Sequence, residues 1–474
     1  SLEALRLYAE AVEMADLGQE METIPLLEEA LRLDPDFAMA HRKLSAVLGN
    51  LGIQPTRMRA AAARAYELRD RLTEREWGLA EAYYLLRVEN NPDRAIEAWQ
   101  RVLNGYPSDE GSRNNIGAAA LMVGRPGDAV EALRPLFAES SRPSPLNYDN
   151  FIRALWRVGE REEARVYAER LVTEFPDSRQ ALEVSHTLPA ADREWQRALE
   201  GVAARLDAGA GAPGVDVIAR TEQAGYYLGL GRTSDARRSL ELAEQAAVEH
   251  RQWEWYWSIV LFHRAASAWA LHHPDPEAAR AELRRGLATI PLDSLDLRGD
   301  AAANAAMLFG LVGWTERADS LRTRIEDAFE PTEKGRGFQV GRQRYLVYRS
   351  LGRDDGTAAL EALNRLEELA PCPAVCAERI LAGLGFELAG ETERAIEAYE
   401  AGLETAPLFW VSFETGFLPL VHDRLGALQE GRGDRAGAAA TFRRMLEAYS
   451  DAEEPIASRV RRVRARAAGL AAGG

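Results

Sequence analysis

The chain has 474 residues, of which 46% are hydrophobic and 28% charged, enough for several domains or for one continuous repeat array. Good helix formers (Ala, Leu, Glu, Arg) dominate and strand-type alternation is scarce, which points to an all-α fold. The net charge of -16, from 74 acidic and 58 basic residues, excludes a general nucleic-acid binder, which needs a basic face. No stretch approaches the roughly 18 apolar residues of a membrane span. The chain opens at Ser1 without an initiator Met or a signal-like segment, so a processed product or a piece of a longer protein is expected.

Read in chain order, one pattern returns. Gly18 opens an amphipathic helix that carries Ala30 and stops at Asp34-Pro35. The pattern recurs from Asp93 through Ala95 and Trp99 to Pro107, at Gly159 with Ala164 and Pro176, at Gly231 with Ala236, and from Ala279 to Pro291. It closes at Gly390 with Ala395, Tyr399 and Pro407, and at Gly433 with Ala438 and Phe442. A second apolar-periodic helix precedes each glycine, as in Asn114 to Ala120 before Gly124 and His422 to Gly426 before Gly433. Small residues at Ala11, Gly117, Ala224, Gly383 and Gly426 suit helices that pack closely. The proline at the end of a unit stops its second helix, because it lacks an amide donor and restricts the residue before it.

The spacing gives about twelve two-helix units of roughly 34 residues. Residues 1-206 are expected to form one array and 217-452 a second. Between them lies a Gly/Ala/Pro loop at 207-216, and after them a capping helix and tail at 453-474. The unit resembles the tetratricopeptide repeat. That resemblance implies a right-handed superhelical solenoid of stacked antiparallel helix pairs, with partners held on a concave face lined by the first helices.

Both ends are similar to the repeat region of certain bacterial membrane-linked serine/threonine protein kinases. The similarity rests on Ser1 to Glu10 with Ala65 to Glu76, and on Leu408 to Trp410, Phe417 to Pro419 and Arg424 to Asp434. It implies a sensing or docking part of a larger signalling protein, placed outside the cytoplasm. The kinase domain itself is absent, since the chain has no glycine-rich phosphate loop and no His-Arg-Asp loop, and only Lys43 and Lys334 as lysines.

No residue set combines a nucleophile, a base and a positioning group, so no enzyme, cofactor or metal site is expected. His272 and His273 precede Pro274 at a helix end, and no His-Glu-x-x-His is present. Cys372 and Cys376, four apart, fit neither a redox pair nor a zinc site; they are either a local disulfide or two free thiols. Arg432-Gly433-Asp434 spells an adhesion tripeptide but sits at an ordinary helix-helix turn. Trp253, Trp255, Tyr256 and Trp257 are either core or an aromatic interface. Phe409, Trp410, Phe413 and Phe417 are expected to plug the gap between the last two units.

Carrying over the repeat's groove positions gives Arg42, Asn50, Tyr84, Arg87, Asn114, Arg153, Trp156, Arg157, Arg264, Arg342 and Arg349. This basic list suits a protein partner that offers an extended acidic segment, bound by bidentate Arg contacts, unless each Arg instead pairs with a carboxylate of the adjacent unit. A different reading is self-assembly into oligomers or filaments through the ends. In it the Arg-rich terminal helix meets the acidic first unit, where Glu3, Glu10, Glu13, Asp16, Glu20 and Glu22 cluster.

Overall fold

The computed structural model describes residues 1-138, 143-209, 213-370, 378-404, 406, 408 and 411-472. Most of these residues are helical, and no strand is found among them. The chain forms two compact units.

Unit 1 runs from Ser1 to Val184 and includes Glu326–Arg342 and a short stretch from Glu367. Its helices are α1 (Leu2–Asp16), α2 (Glu20–Leu33), α3 (Ala38–Leu51), α4 (Pro55–Glu67), α5 (Glu74–Arg87), α6 (Pro92–Gly105), α7 (Glu110–Met122), α8 (Pro126–Leu133), α9 (Pro145–Val158), α10 (Arg161–Glu174) and the start of α11 (Arg179–Ala191). Local sequence sets their ends. Thr73 and Glu76 form a capping box at the start of α5 and Ser144 with Asn147 another at α9, where Pro145 sits in the first turn. Gly159 ends α9 at φ +90°, a left-handed conformation that side chains other than glycine rarely adopt, and its amide donates to the carbonyls of Leu155 and Trp156.

Unit 2 takes up the chain from Ser185. It contains α12 (Trp195–Ala208), α13 (Pro213–Gly229), α14 (Thr233–Glu249), α15 (Trp253–Trp255), a π-helical turn (Tyr256–Leu261), α16 (Phe262–His272), α17 (Glu277–Thr289) and α18 (Asp300–Leu311). Next come most of α19 (Thr315–Asp327), α20 (Arg336–Leu351) and α21 (Gly356–Leu369). The last helices are α22 (Glu378–Leu388), α23 (Thr392–Glu404), the short α24 (Val411–Thr415), α25 (Leu418–Gly431), α26 (Arg435–Ala448) and α27 (Ile456–Ala472). With α15, the π turn and α16 counted as one interrupted helix, and α24 as an insert, the described helices make twelve consecutive pairs followed by a terminal helix.

The stretch 207-216, expected as a loop between two halves, is helical on both sides: α12 continues to Ala208 and α13 begins at Pro213. The fixed φ of proline suits a first helical turn, so Pro213 starts a helix where composition suggested a linker. The two units instead meet in sequence at Val184 and Ser185, inside α11.

Within a pair, small residues do bring the helices together. A Cβ on Gly426 of α25 would stand 2.1 Å from Cε1 of Phe442 on α26. Ala11, Ala95, Ala129, Ala164, Ala224, Ala236, Ala395 and Ala438 are all buried.

Candidate partner-binding surfaces

In unit 1 the first helices of successive pairs touch one another, α1 with α3, α3 with α5 and α7 with α9. These helices carry the residues expected to face a partner. Most of these are already engaged. Asn50 donates to Glu20 at 2.8 Å, and Arg179 at the start of α11 reaches the same carboxylate at 3.0 Å, which closes the unit on itself. Asn114 accepts from Asn150 at 3.0 Å, and Arg157 donates to the Leu121 carbonyl at 2.8 Å. Arg153 pairs with Asp149 at 3.0 Å and lies 3.7 Å from Glu183; burial pushes the Asp149 carboxyl up from its ordinary value. Tyr84 stacks on Tyr66, and Trp156 is buried with Arg161 and Arg165 over its ring.

Arg42 and Arg87 differ from these. The Arg42 guanidinium lies over the Tyr83 ring at 5.2 Å, and Arg87 follows Tyr83 by one turn on α5, packed against Gly49 of α3. Burial lowers the Arg87 guanidinium from its ordinary value. The Nε of each has no hydrogen-bond partner, and among the described residues neither guanidinium has a carboxylate within ion-pair distance. Two cations thus flank one tyrosine.

The remaining groove positions serve the chain itself. Arg342 lies 3.4 Å from Glu326, both in unit 1. In unit 2, Arg264 is buried and held by Glu244 at 2.7 Å, and Arg349 grips Asp319 through two bonds of 2.7 and 2.8 Å. These are inter-helix clamps, the alternative weighed above.

Three of the four residues of the aromatic run lie in the core. Trp255, Tyr256 and Trp257 are buried and only Trp253 is half-buried. Trp257 donates to the Ile290 carbonyl at 3.3 Å and meets Phe309 edge to face, while Tyr256 donates to Glu244. Phe413 and Phe417 pack elsewhere than between the last two units. Phe413 stacks on Phe262 at 4.9 Å and Phe417 lies 6.3 Å from Trp269, both on α16. The insert α24 packs on α13 and α16, first helices of their pairs. Phe409, Trp410, Cys372 and Cys376 lie outside the described residues.

Residues 77–109, which span most of α5 and all of α6, match a family model described as a tetratricopeptide repeat. This stretch is similar to a tetratricopeptide repeat. Its chemistry follows the pattern: Ala95 and Trp99 are fully buried, and Trp99 meets Tyr83 edge to face at 5.7 Å. Beyond this repeat, no protein of curated function matches the sequence. Among solved structures, the yeast Tom70 crystal structure is similar at 12% identity over 92% of each chain, with a TM-score of 0.32. A human IFIT1 dimer with m7Gppp-AAAA is similar at 14% identity over 83% of this chain and 88% of that one, TM-score 0.34. Naa15/Naa10 bound to HypK-THB is similar at 15% identity over 93% and 68%, TM-score 0.24.

Sequence reasoning missed the closure of unit 1 by Glu20 and Arg179, which lie 159 positions apart. It also missed the packing of residues 326–342 on that unit, where Arg336 pairs with Asp93 at 3.0 Å and Phe329 lies beneath Arg59. No local pattern marks contacts at such separations.

Proposed function

We propose that this chain is a non-enzymatic protein-interaction scaffold, and that its N-terminal unit takes an extended acidic segment of a partner between Arg42 and Arg87. The observation that carries this reading is the pair of guanidiniums around Tyr83 without carboxylates, in a molecule whose other candidate groove arginines are engaged. A half-dry arginine that already lies against an aromatic ring gains most from an incoming carboxylate, because charge-assisted bonds strengthen where water is excluded. A role as the sensing or docking part of a larger signalling protein is consistent with such a surface.

The test is fluorescence anisotropy of the full chain with two labelled extended peptides, one rich in Asp and Glu and its isosteric Asn/Gln copy. The acidic peptide should bind at least about tenfold more tightly, a difference of about 1.4 kcal/mol. Arg42→Glu and Arg87→Gln should each remove that preference while the helical circular dichroism stays unchanged. Equal binding of the two peptides by the unsubstituted chain would sink the proposal.

A further inference from the structure

Arg42 and Arg87 belong to a larger set of idle groups where α3 faces α5. Residues 42, 45 and 49 fall on one side of α3, and 83 and 87 on one side of α5. Arg42 lies over Tyr83, and the Arg87 guanidinium lies against Gly49, where an added Cβ would stand 2.6 Å from its Cζ. Ser45 sits between these two contacts along α3, fully buried, and its hydroxyl has no hydrogen-bond partner. One helix contact thus holds three polar atoms without partners: the Nε of Arg42, the Nε of Arg87 and the Oγ of Ser45. A buried donor left unpaired costs free energy, so three together call for a group that completes them.

The carboxylates nearest this contact are already used. Asp16 lies 3.9 Å from Lys43, the neighbour of Arg42, and Glu20 holds Asn50 and Arg179. Other clustered arginines of the protein are balanced by carboxylates. Arg264 and Arg285 meet Glu244 and Glu282, while Arg153 and Arg179 meet Asp149, Glu183 and Glu20. Arg42 and Arg87 bring two positive charges to one place with no negative one. Gly49 is part of the arrangement, since a side chain there would push the Arg87 guanidinium off α3 and away from Ser45.

A single carboxylate offers one charge and two oxygens to two guanidiniums and a hydroxyl. A phosphomonoester offers about 1.5 to 2 negative charges at neutral pH and three acceptor oxygens, which matches the set. Both arginines are half-buried, so they receive the anion at their outer edges, with Ser45 as the floor. We infer that this slot is built for a phosphomonoester, carried as phosphoserine or phosphothreonine within the acidic segment of the partner. The inference rests on the reading of unit 1 as the acceptor of an acidic segment, and it names the residue that enters between the arginines.

Fluorescence anisotropy of the full chain at an ionic strength of about 0.15 M tests it, with one acidic peptide whose central residue is glutamate or phosphoserine. The phosphoserine copy should bind at least about tenfold more tightly than the glutamate copy, a difference of about 1.4 kcal/mol. Arg42→Lys and Arg87→Lys keep the charge but lose the planar fork, and each should cut that ratio to about threefold or less. Ser45→Ala removes one small donor and no charge, and should lower the ratio as well; circular dichroism confirms that each variant keeps its helices. Inorganic phosphate, the other source of the same chemistry, should displace the phosphoserine peptide only at concentrations about a hundredfold above the Kd of that peptide. Equal binding of the glutamate and phosphoserine copies overturns the inference, and leaves the acidic-segment reading intact if both still bind better than the Asn/Gln copy. Equal binding of all three removes both. A phosphoserine preference that none of the three substitutions reduces, or displacement by inorganic phosphate at the Kd of the peptide, also overturns the inference.

Discussion

Gly426 and Phe442 show how one residue sets the approach of two helices. Glycine in a helix interior costs about 1 kcal/mol relative to alanine, so Gly426→Ala gains that much in α25. The added methyl would however stand 2.1 Å from a ring that is fully buried and cannot swing away, and overpacking of this kind costs about 1–3 kcal/mol and upward. Packing therefore wins, and the thermal midpoint of Gly426→Ala should fall. Gly431, at the end of the same helix, has nothing within 4 Å of its virtual Cβ, so Gly431→Ala should leave the midpoint level or raise it. Such small-residue positions were legible in the sequence because the clash that requires them lies within one repeat. The arginine partners were legible only in principle. Arg153 with Glu183, Arg349 with Asp319, Arg424 with Glu387 and Arg466 with Glu430 are separated by 30, 30, 37 and 36 positions, one repeat apart. A search for opposite charges at that offset would have assigned those arginines to the scaffold and left Arg87 standing, but not Arg42, which has Glu10, Glu74 and Glu76 at offsets of 32, 32 and 34 and is separated from them only by the structure.

At the scale of elements, the aromatic run at 253–257 shows what regular periodicity conceals. On an ideal α-helix three consecutive residues point in different directions, which suggests that one of them is exposed. The π-helical turn at Tyr256–Leu261 breaks that rule, since its wider ring shifts the register at the point where the aromatic residues enter the core. Trp255, Tyr256 and Trp257 are then all covered by neighbouring helices. Trp257→Ala should cost about 3–5 kcal/mol, as large-to-small changes of a buried aromatic do, and should lower the melting temperature of the chain and its near-ultraviolet dichroism together. Trp253→Ala, at a half-buried position, should cost well under half as much. Equal losses at the two positions would contradict this packing. The partners of α24 escaped sequence reading for a related reason. Phe413 reaches Phe262, about 150 positions upstream, and a repeat pattern read locally reports only the neighbours in line.

At the scale of the molecule, the period gave the number of helix pairs but not where each unit closes. Unit 1 closes where Arg179 meets Glu20. In unit 2 the chain returns to the start of α14, where Glu453 accepts from the Ser234 amide at 2.6 Å, and Arg193 reaches the Leu403 carbonyl at 2.8 Å. These closures bury histidines as neutral rings, and that has a consequence for pH. His186 is fully buried between the Tyr226 hydroxyl at 2.8 Å and Arg205 at 3.0 Å, with Glu222 at 3.6 Å, and burial lowers it well below its ordinary value. Burial, reinforced by Arg193 and Arg444, lowers His422 to about 3. Burial, with Arg424 and Arg459 outweighing Asp354, lowers His273 to about 4. In each case the unfolded chain, with an ordinary pKa of about 6.5, binds the proton more readily than the folded one. The contribution to stability is therefore whole above about pH 6.5 and is lost as the pH falls toward the folded values, at up to about 1.4 kcal/mol per pH unit for each histidine. Buried carboxyls such as Asp149 and Glu254, which burial raises, act in the opposite sense, so the histidine share is isolated by substitution. Urea unfolding between pH 7 and pH 5 should show unit 2, which contains all three rings, losing stability first. His422→Gln cannot titrate, and so should flatten that dependence by up to one proton's worth. A slope unchanged by the substitution would mean that His422 takes up its proton in the folded protein without cost, which its buried place beside two arginines does not allow.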